Sequence, residues 1–113
     1  MRDTLNLDFF KKQLAIGTYI DEAQFYFADD PKEGDYMLGY ETRFYPETPY
    51  WVSDCDLPEA PSFSSGEELL TAPIFDGQSL EERWDQVRFV NIMGIGLEDW
   101  LRCVPLDLSE KNE

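Results

Sequence analysis

The stretch SSGEELLTAPIFDGQSLEERWDQVRFVNIMGIGLEDWL, residues 64–101, constrains the fold more than any other part of the chain. Ser64 or Ser65, with Glu67 or Glu68 three residues on, makes a capping box, and Ser79 with Glu82 makes another. In such a pair the serine hydroxyl accepts from a backbone N–H of the first turn, while the carboxylate reaches back to the cap's own N–H. Each box therefore predicts a helix start. The first helix must stop by Pro73, which cannot continue it, and Asp76-Gly77 reads as a turn. Leu80, Trp84 and Val87 at helical spacing predict a core face for a second helix. RFVNIM (88–93) predicts a strand halted by Gly94 and Gly96, and Leu97, Trp100 and Leu101 anchor one or two closing helical turns. Residues 64–103 thus read as helix–helix–strand–helix.

The first half has a different grain. An N-terminal helix is expected over 5–15, with Asn6 as N-cap, Asp8 in its first turn, and Leu7, Phe10 and Leu14 as its apolar stripe; Gly17 ends it. From 18 to 55 the pattern becomes a strand meander. In 18–28, Phe25 and Phe27 share a face and Tyr26 points the other way. In 36–45, Tyr36, Leu38, Tyr40, Thr42 and Phe44 alternate with Met37, Gly39, Glu41, Arg43 and Tyr45, as on a half-buried sheet. The connections DDPKEGD (29–35) and PETP (46–49) are turn-like, and YWVSDC (50–55) is the third strand. DLPEAPSF (56–63), with two prolines and no periodicity, reads as a linker. Residues 109–113 are expected to fray. The whole predicts one α+β domain, a small antiparallel sheet of about four strands packed against short helices; 113 residues suffice for one core.

Charge narrows the function. Asp and Glu number 24 against 9 Lys and Arg, a net of −15, and histidine is absent. Direct nucleic-acid binding is disfavoured, because it needs cations to displace phosphate counterions; a basic protein partner is favoured. Without histidine, Ser-His and Cys-His nucleophile pairs are excluded. Gly94-Ile95-Gly96 lacks the third glycine of a dinucleotide fingerprint, and no glycine-lysine phosphate loop exists. Asp54 and Asp56 form a carboxylate pair, but carboxylates this abundant pair by chance, so no catalytic residue is expected. The spacing of 29–35 does not fit a calcium loop. Cys55 and Cys103, with no histidine, make no zinc site and are expected as buried reduced thiols. No cofactor or metal is expected. Apolar runs are too short to span a membrane, the N-terminus lacks a signal-peptide core, and a cytoplasmic, monomeric protein is the expectation.

Acids interleaved with aromatics mark the candidate partner-binding residues. Residues 45–63 place Glu47, Asp54, Asp56 and Glu59 among Tyr50 and Trp51, the make-up of an interface for a basic partner. Asp29 and Asp30, with Glu33 and Asp35, form a second acidic patch. The alternative for each residue is plain: an aromatic in the core with a solvated acidic rim.

Residues 50–101 also carry a family likeness. An aromatic strand ending in acids is followed by S-x-x-E-L-L-x-A-P-I-F-D-G-x-S-L-x-E-x-W-D-x-V and then I-x-G-I-x-L-E-D-W-L. This order resembles small bacterial immunity proteins of contact-dependent inhibition and polymorphic toxin systems. Glu68, Ala72, Phe75, Asp76, Gly77, Ser79, Leu80, Trp84, Gly94 and Trp100 carry it. The resemblance covers about half the chain and implies a protein that binds and neutralises a cognate toxin domain, with no catalytic residues of its own. The other function class in view is an acidic nucleic-acid mimic or regulatory adaptor that blocks a DNA- or RNA-binding protein.

Overall fold

The computed structural model describes residues 3–17, 20–29, 35–43, 45–53 and 61–104. Helix α1 spans Leu7–Ile16. Asn6 caps it as expected: its Oδ1 accepts from the Phe9 N–H at 3.1 Å, and Gly17, at φ 83°, ends it by donating to the Gln13 carbonyl. Strands β1 (Glu22–Phe27), β2 (Tyr36–Tyr40) and β3 (Tyr50–Ser53) form the antiparallel meander. Of the stretch 36–45, strand β2 takes up Tyr36–Tyr40; Glu41 donates its N–H to the Pro49 carbonyl across the β2–β3 connection, and Phe44 lies outside the described residues.

Two elements differ from the sequence expectation. In the segment 56–63, expected as a linker, Ser62–Phe63 forms β4, paired to β3 through Tyr50↔Phe63 and Trp51↔Ser62. Two paired residues are too few to show a periodicity. The helix expected after Ser79 is one irregular turn that leads into a short 3₁₀ helix, η1, at Trp84–Gln86. Its capping box is complete: Ser79 Oγ accepts from the Glu82 N–H at 3.0 Å and Glu82 Oε1 accepts from the Ser79 N–H at 2.9 Å. Beyond the first turn, however, Trp84 and Gln86 donate to carbonyls three residues back, at Glu81 and Arg83. The tighter winding brings the chain into register for strand β5 (Val87–Ile92).

β5 does not join the meander in sequence order. It pairs antiparallel with β1, giving one five-stranded sheet in the order β4-β3-β2-β1-β5. Val90 is an extra residue in β5, a bulge between the pairs Gln24↔Asn91 and Phe25↔Phe89. Helix α2 (Gly66–Thr71) is capped by Ser65, whose Oγ accepts from the Glu68 N–H, and helix α3 (Leu97–Cys103) closes the described chain. Two turns, Asp76-Gly77 and Met93-Gly94, have positive φ at both central residues and close on paired flanks, Phe75↔Gln78 and Ile92↔Ile95. This is the tight hairpin geometry that suits strand twist.

The helices and the 74–86 segment lie on one face of the sheet. That inner face carries Ala23, Phe25 and Phe27 of β1, Tyr36 and Leu38 of β2, Tyr50 and Val52 of β3, and Val87, Phe89 and Ile92 of β5, all buried. Phe10 of α1 packs in tilted contact 4.9 Å from Trp84 and 5.5 Å from Phe89, and Phe75 packs edge-on against Phe27 and Tyr36. Trp84 is half-buried, with its indole N–H bound to the Leu5 carbonyl at 2.7 Å. α3 turns Leu97, Trp100 and Val104 inward, and Trp100 meets Phe9 edge-to-face. That spacing leaves Cys103 on the outside: it is exposed, contrary to the expectation of a buried thiol. Cys55 lies outside the described residues.

Candidate partner-binding surface

Strand parity decides where the aromatics marked in the sequence go. Tyr50 and Trp51 are consecutive in β3, so they stand on opposite faces of the sheet. Tyr50 faces inward and is 6 % exposed. Its hydroxyl donates to the Leu14 carbonyl of α1 at 2.7 Å, and its ring meets Tyr40 at 4.9 Å. Burial, with Tyr40 beside it, raises its hydroxyl above the usual pKa of 10.0. Tyr50 is thus a core residue, not a surface anchor. Trp51 faces outward and is half-buried, because its indole lies across Gly39 on the neighbouring strand. A Cβ at Gly39 would collide with the Asp21 carbonyl and come within 2.6 Å of the Trp51 ring.

The acids separate as well. Asp29 forms an ion pair with Arg83, whose guanidinium sits 4.0 Å over the Phe27 ring. That pair lids the core at the C-terminal end of β1. Trp51 pairs with Gly39 and Gly39 with Glu22, at the opposite end of β1, so Asp29 and Trp51 are about 20 Å apart along the strands. Glu47 is exposed in the β2–β3 connection, at the Trp51 end. Asp30, Glu33, Asp54, Asp56 and Glu59 lie outside the described residues.

The outer face of the sheet is a surface that the acid–aromatic pattern does not mark. No element of the described residues covers it. β1 presents Glu22, Gln24 and Tyr26, β2 presents Met37, and β5 presents Arg88, Val90 and Asn91. Tyr26 is 38 % and Val90 45 % exposed. A polar strip crosses the strands: Gln24 Nε2 donates to Asp35 Oδ2 at 2.6 Å, and Asn91 Nδ2 donates to Gln24 Oε1 at 3.0 Å. Arg88 turns its guanidinium to the backbone carbonyls of Asp85 and Val87. The Glu22 carboxylate makes no ion pair or side-chain hydrogen bond among the described residues. The signal that could have found this face is the alternation itself, which sets Tyr26 and Met37 opposite the core positions.

A cleft of about 550 Å³ opens between α1 and α2, lined by Lys11, Tyr50, Ser64, Ser65, Glu67 and Glu81 among others. Among the described residues, most of its polar groups are occupied by the fold, the Glu67 carboxylate excepted. Ser65 Oγ caps α2, Ser64 Oγ donates to Glu68, and the Tyr50 hydroxyl is bound to α1. Lys11 pairs with Glu81 at 2.5 Å, and that hydrogen-bonded ion pair raises the lysine above its ordinary 10.5. Among the described residues no group of three or more Cys, Asp or Glu side chains is placed to hold a metal ion, and no helix is long and apolar enough to cross a membrane.

The chain matches no protein-family model, no curated protein and no solved structure.

Proposed function

We propose that this protein works by binding: it is an acidic immunity protein of the cytoplasm that engages and neutralises a cognate, basic, nuclease-type toxin domain. The net charge of −15 is the observation that carries the reading. A field of that sign draws a cationic surface in at rates well above those of neutral pairs and repels competing nucleic acid. The resemblance of residues 50–101 to immunity proteins supports it, and so does a sheet face left open with aromatic side chains on it. Inhibition would be steric and electrostatic: the acidic domain covers the groove that would hold phosphates, and no bond of the toxin is made or broken.

The test is co-purification with the protein encoded by the adjacent gene, at low and at physiological salt. A complex should form at both, with an association rate that falls as salt rises. No complex at either salt would sink the proposal. Capture of several unrelated DNA-binding proteins instead would favour the nucleic-acid mimic.

A further inference from the structure

We infer that the outer face of the sheet is the docking surface, and that its occupant is a folded protein domain presenting an apolar centre flanked by arginine or lysine. The inference rests on the binding role proposed above and assigns it to one face.

Three observations place it there. The first is the layout across the strands. Trp51, Met37, Tyr26 and Val90 form an apolar track over β3, β2, β1 and β5. Single exposed apolar side chains need no explanation, but here one stands on each of four adjacent strands, with the Gln24–Asp35 hydrogen bond crossing between Met37 and Tyr26. The second is the charge beside that track. Glu22 and Asp35 flank it, while Arg88, the cation on this face, is turned to backbone carbonyls. The third is the row Trp51↔Gly39↔Glu22. Because position 39 has no side chain, the indole lies over it and points along the row toward the Glu22 strand. A guanidinium stacked on the half-exposed indole would have that carboxylate at its edge, combining cation–π and ion-pair recognition in one place.

Charge also selects among occupants. A second copy of this chain would bring another −15 to the interface and set Glu22 and Asp35 against their equivalents. A nucleic acid would be repelled by the same field. A basic protein domain meets both the apolar track and the carboxylates beside it.

Binding of the purified adjacent-gene product to the full chain, measured by calorimetry, tests this with three variants. Reversal of Glu22→Arg with Asp35→Arg should weaken binding about 30-fold or more, as for a hot-spot contact. Asp8→Arg with Glu67→Arg makes the same charge change on the helical layer and should weaken it by less than about 5-fold, a field effect alone. Tyr26→Ser with Trp51→Ser should cost about 10-fold or more and reduce the salt dependence little. Circular dichroism confirms that each variant is folded; the reversed acids are exposed, so the first pair stands even if Trp51→Ser unfolds the sheet. Equal weakening by the two charge reversals, or a larger effect from the helical layer, overturns the docking face while leaving the binding role intact. A wild-type protein that binds nothing overturns the role and the face together.

Discussion

The two faces of the sheet are built from the same strands and nearly the same residue types, yet they do opposite things. Phe25-Tyr26-Phe27 and Tyr50-Trp51 are aromatic runs in which each neighbour goes to the other side. Phe25 and Phe27 are locked by the Phe75 ring of the 74–78 turn and Tyr50 by its hydroxyl's bond to α1, whereas Tyr26 and Trp51 meet no covering element among the described residues. Aromatic content by itself therefore does not mark an interface here. What separates core from open face is which side of the backbone the helices arrive on.

The contrast breaks most visibly at adjacent positions. Phe25→Ala should cost about 3–5 kcal/mol in urea unfolding, from lost burial and an unfilled cavity, whereas Tyr26→Ala next to it should cost about 0.5 kcal/mol or less. Comparable losses would mean that the outer face is packed against something and is no docking surface. Gly39→Ala is the exception that sharpens the rule, since an outer-face Cβ there has no room. The added methyl must move the Trp51 indole or the Asp21 carbonyl, at about 1–3 kcal/mol, with a shift in tryptophan fluorescence. An unchanged spectrum and midpoint would mean that the indole does not rest on Gly39.

Tyr50→Phe is subtler. It removes the hydroxyl bound to Leu14 and should cost about 1–2 kcal/mol at neutral pH. Its pH dependence has a definite sign. The folded-state pKa of Tyr50 lies above the unfolded value, so its contribution is fully present below about pH 10 and is lost as pH rises through the folded pKa. The raised Lys11 contributes in the same alkaline window. The difference between wild type and Tyr50→Phe should therefore shrink above about pH 10, read from unfolding midpoints across the alkaline range. A difference that stays constant there would place the hydroxyl in water.

Local chemistry is legible in the residues, and long-range placement is not. Asn6, Ser65, Gly17 and the Ser79–Glu82 box each do what their types suggest, because a cap is satisfied by atoms three or four positions away. The same locality explains the short helix after Ser79: a capping box specifies a first turn only, and the chain beyond that turn is shaped by the need to enter β5 at Val87. β4 leaves no mark in the sequence because two paired residues are too few to show an alternation. Composition groups Tyr50 and Trp51 as one patch, although strand parity divides them. That β5 docks beside β1 cannot be read from either strand, since both are apolar runs able to pair with several neighbours.

That docking has a consequence in time. Phe89 donates its N–H to the Asp3 carbonyl, Trp84 holds Leu5 across 79 positions, and β5 completes the edge of β1. During synthesis β1 would leave the ribosome long before its second neighbour exists, with one edge open and Phe25 and Phe27 without their lid. Closing so long a loop is slow relative to forming the local meander. Refolding followed by pulsed hydrogen exchange should thus protect the β2–β3 amides before those of β5, and the interval between them is when the chain is most exposed to aggregation.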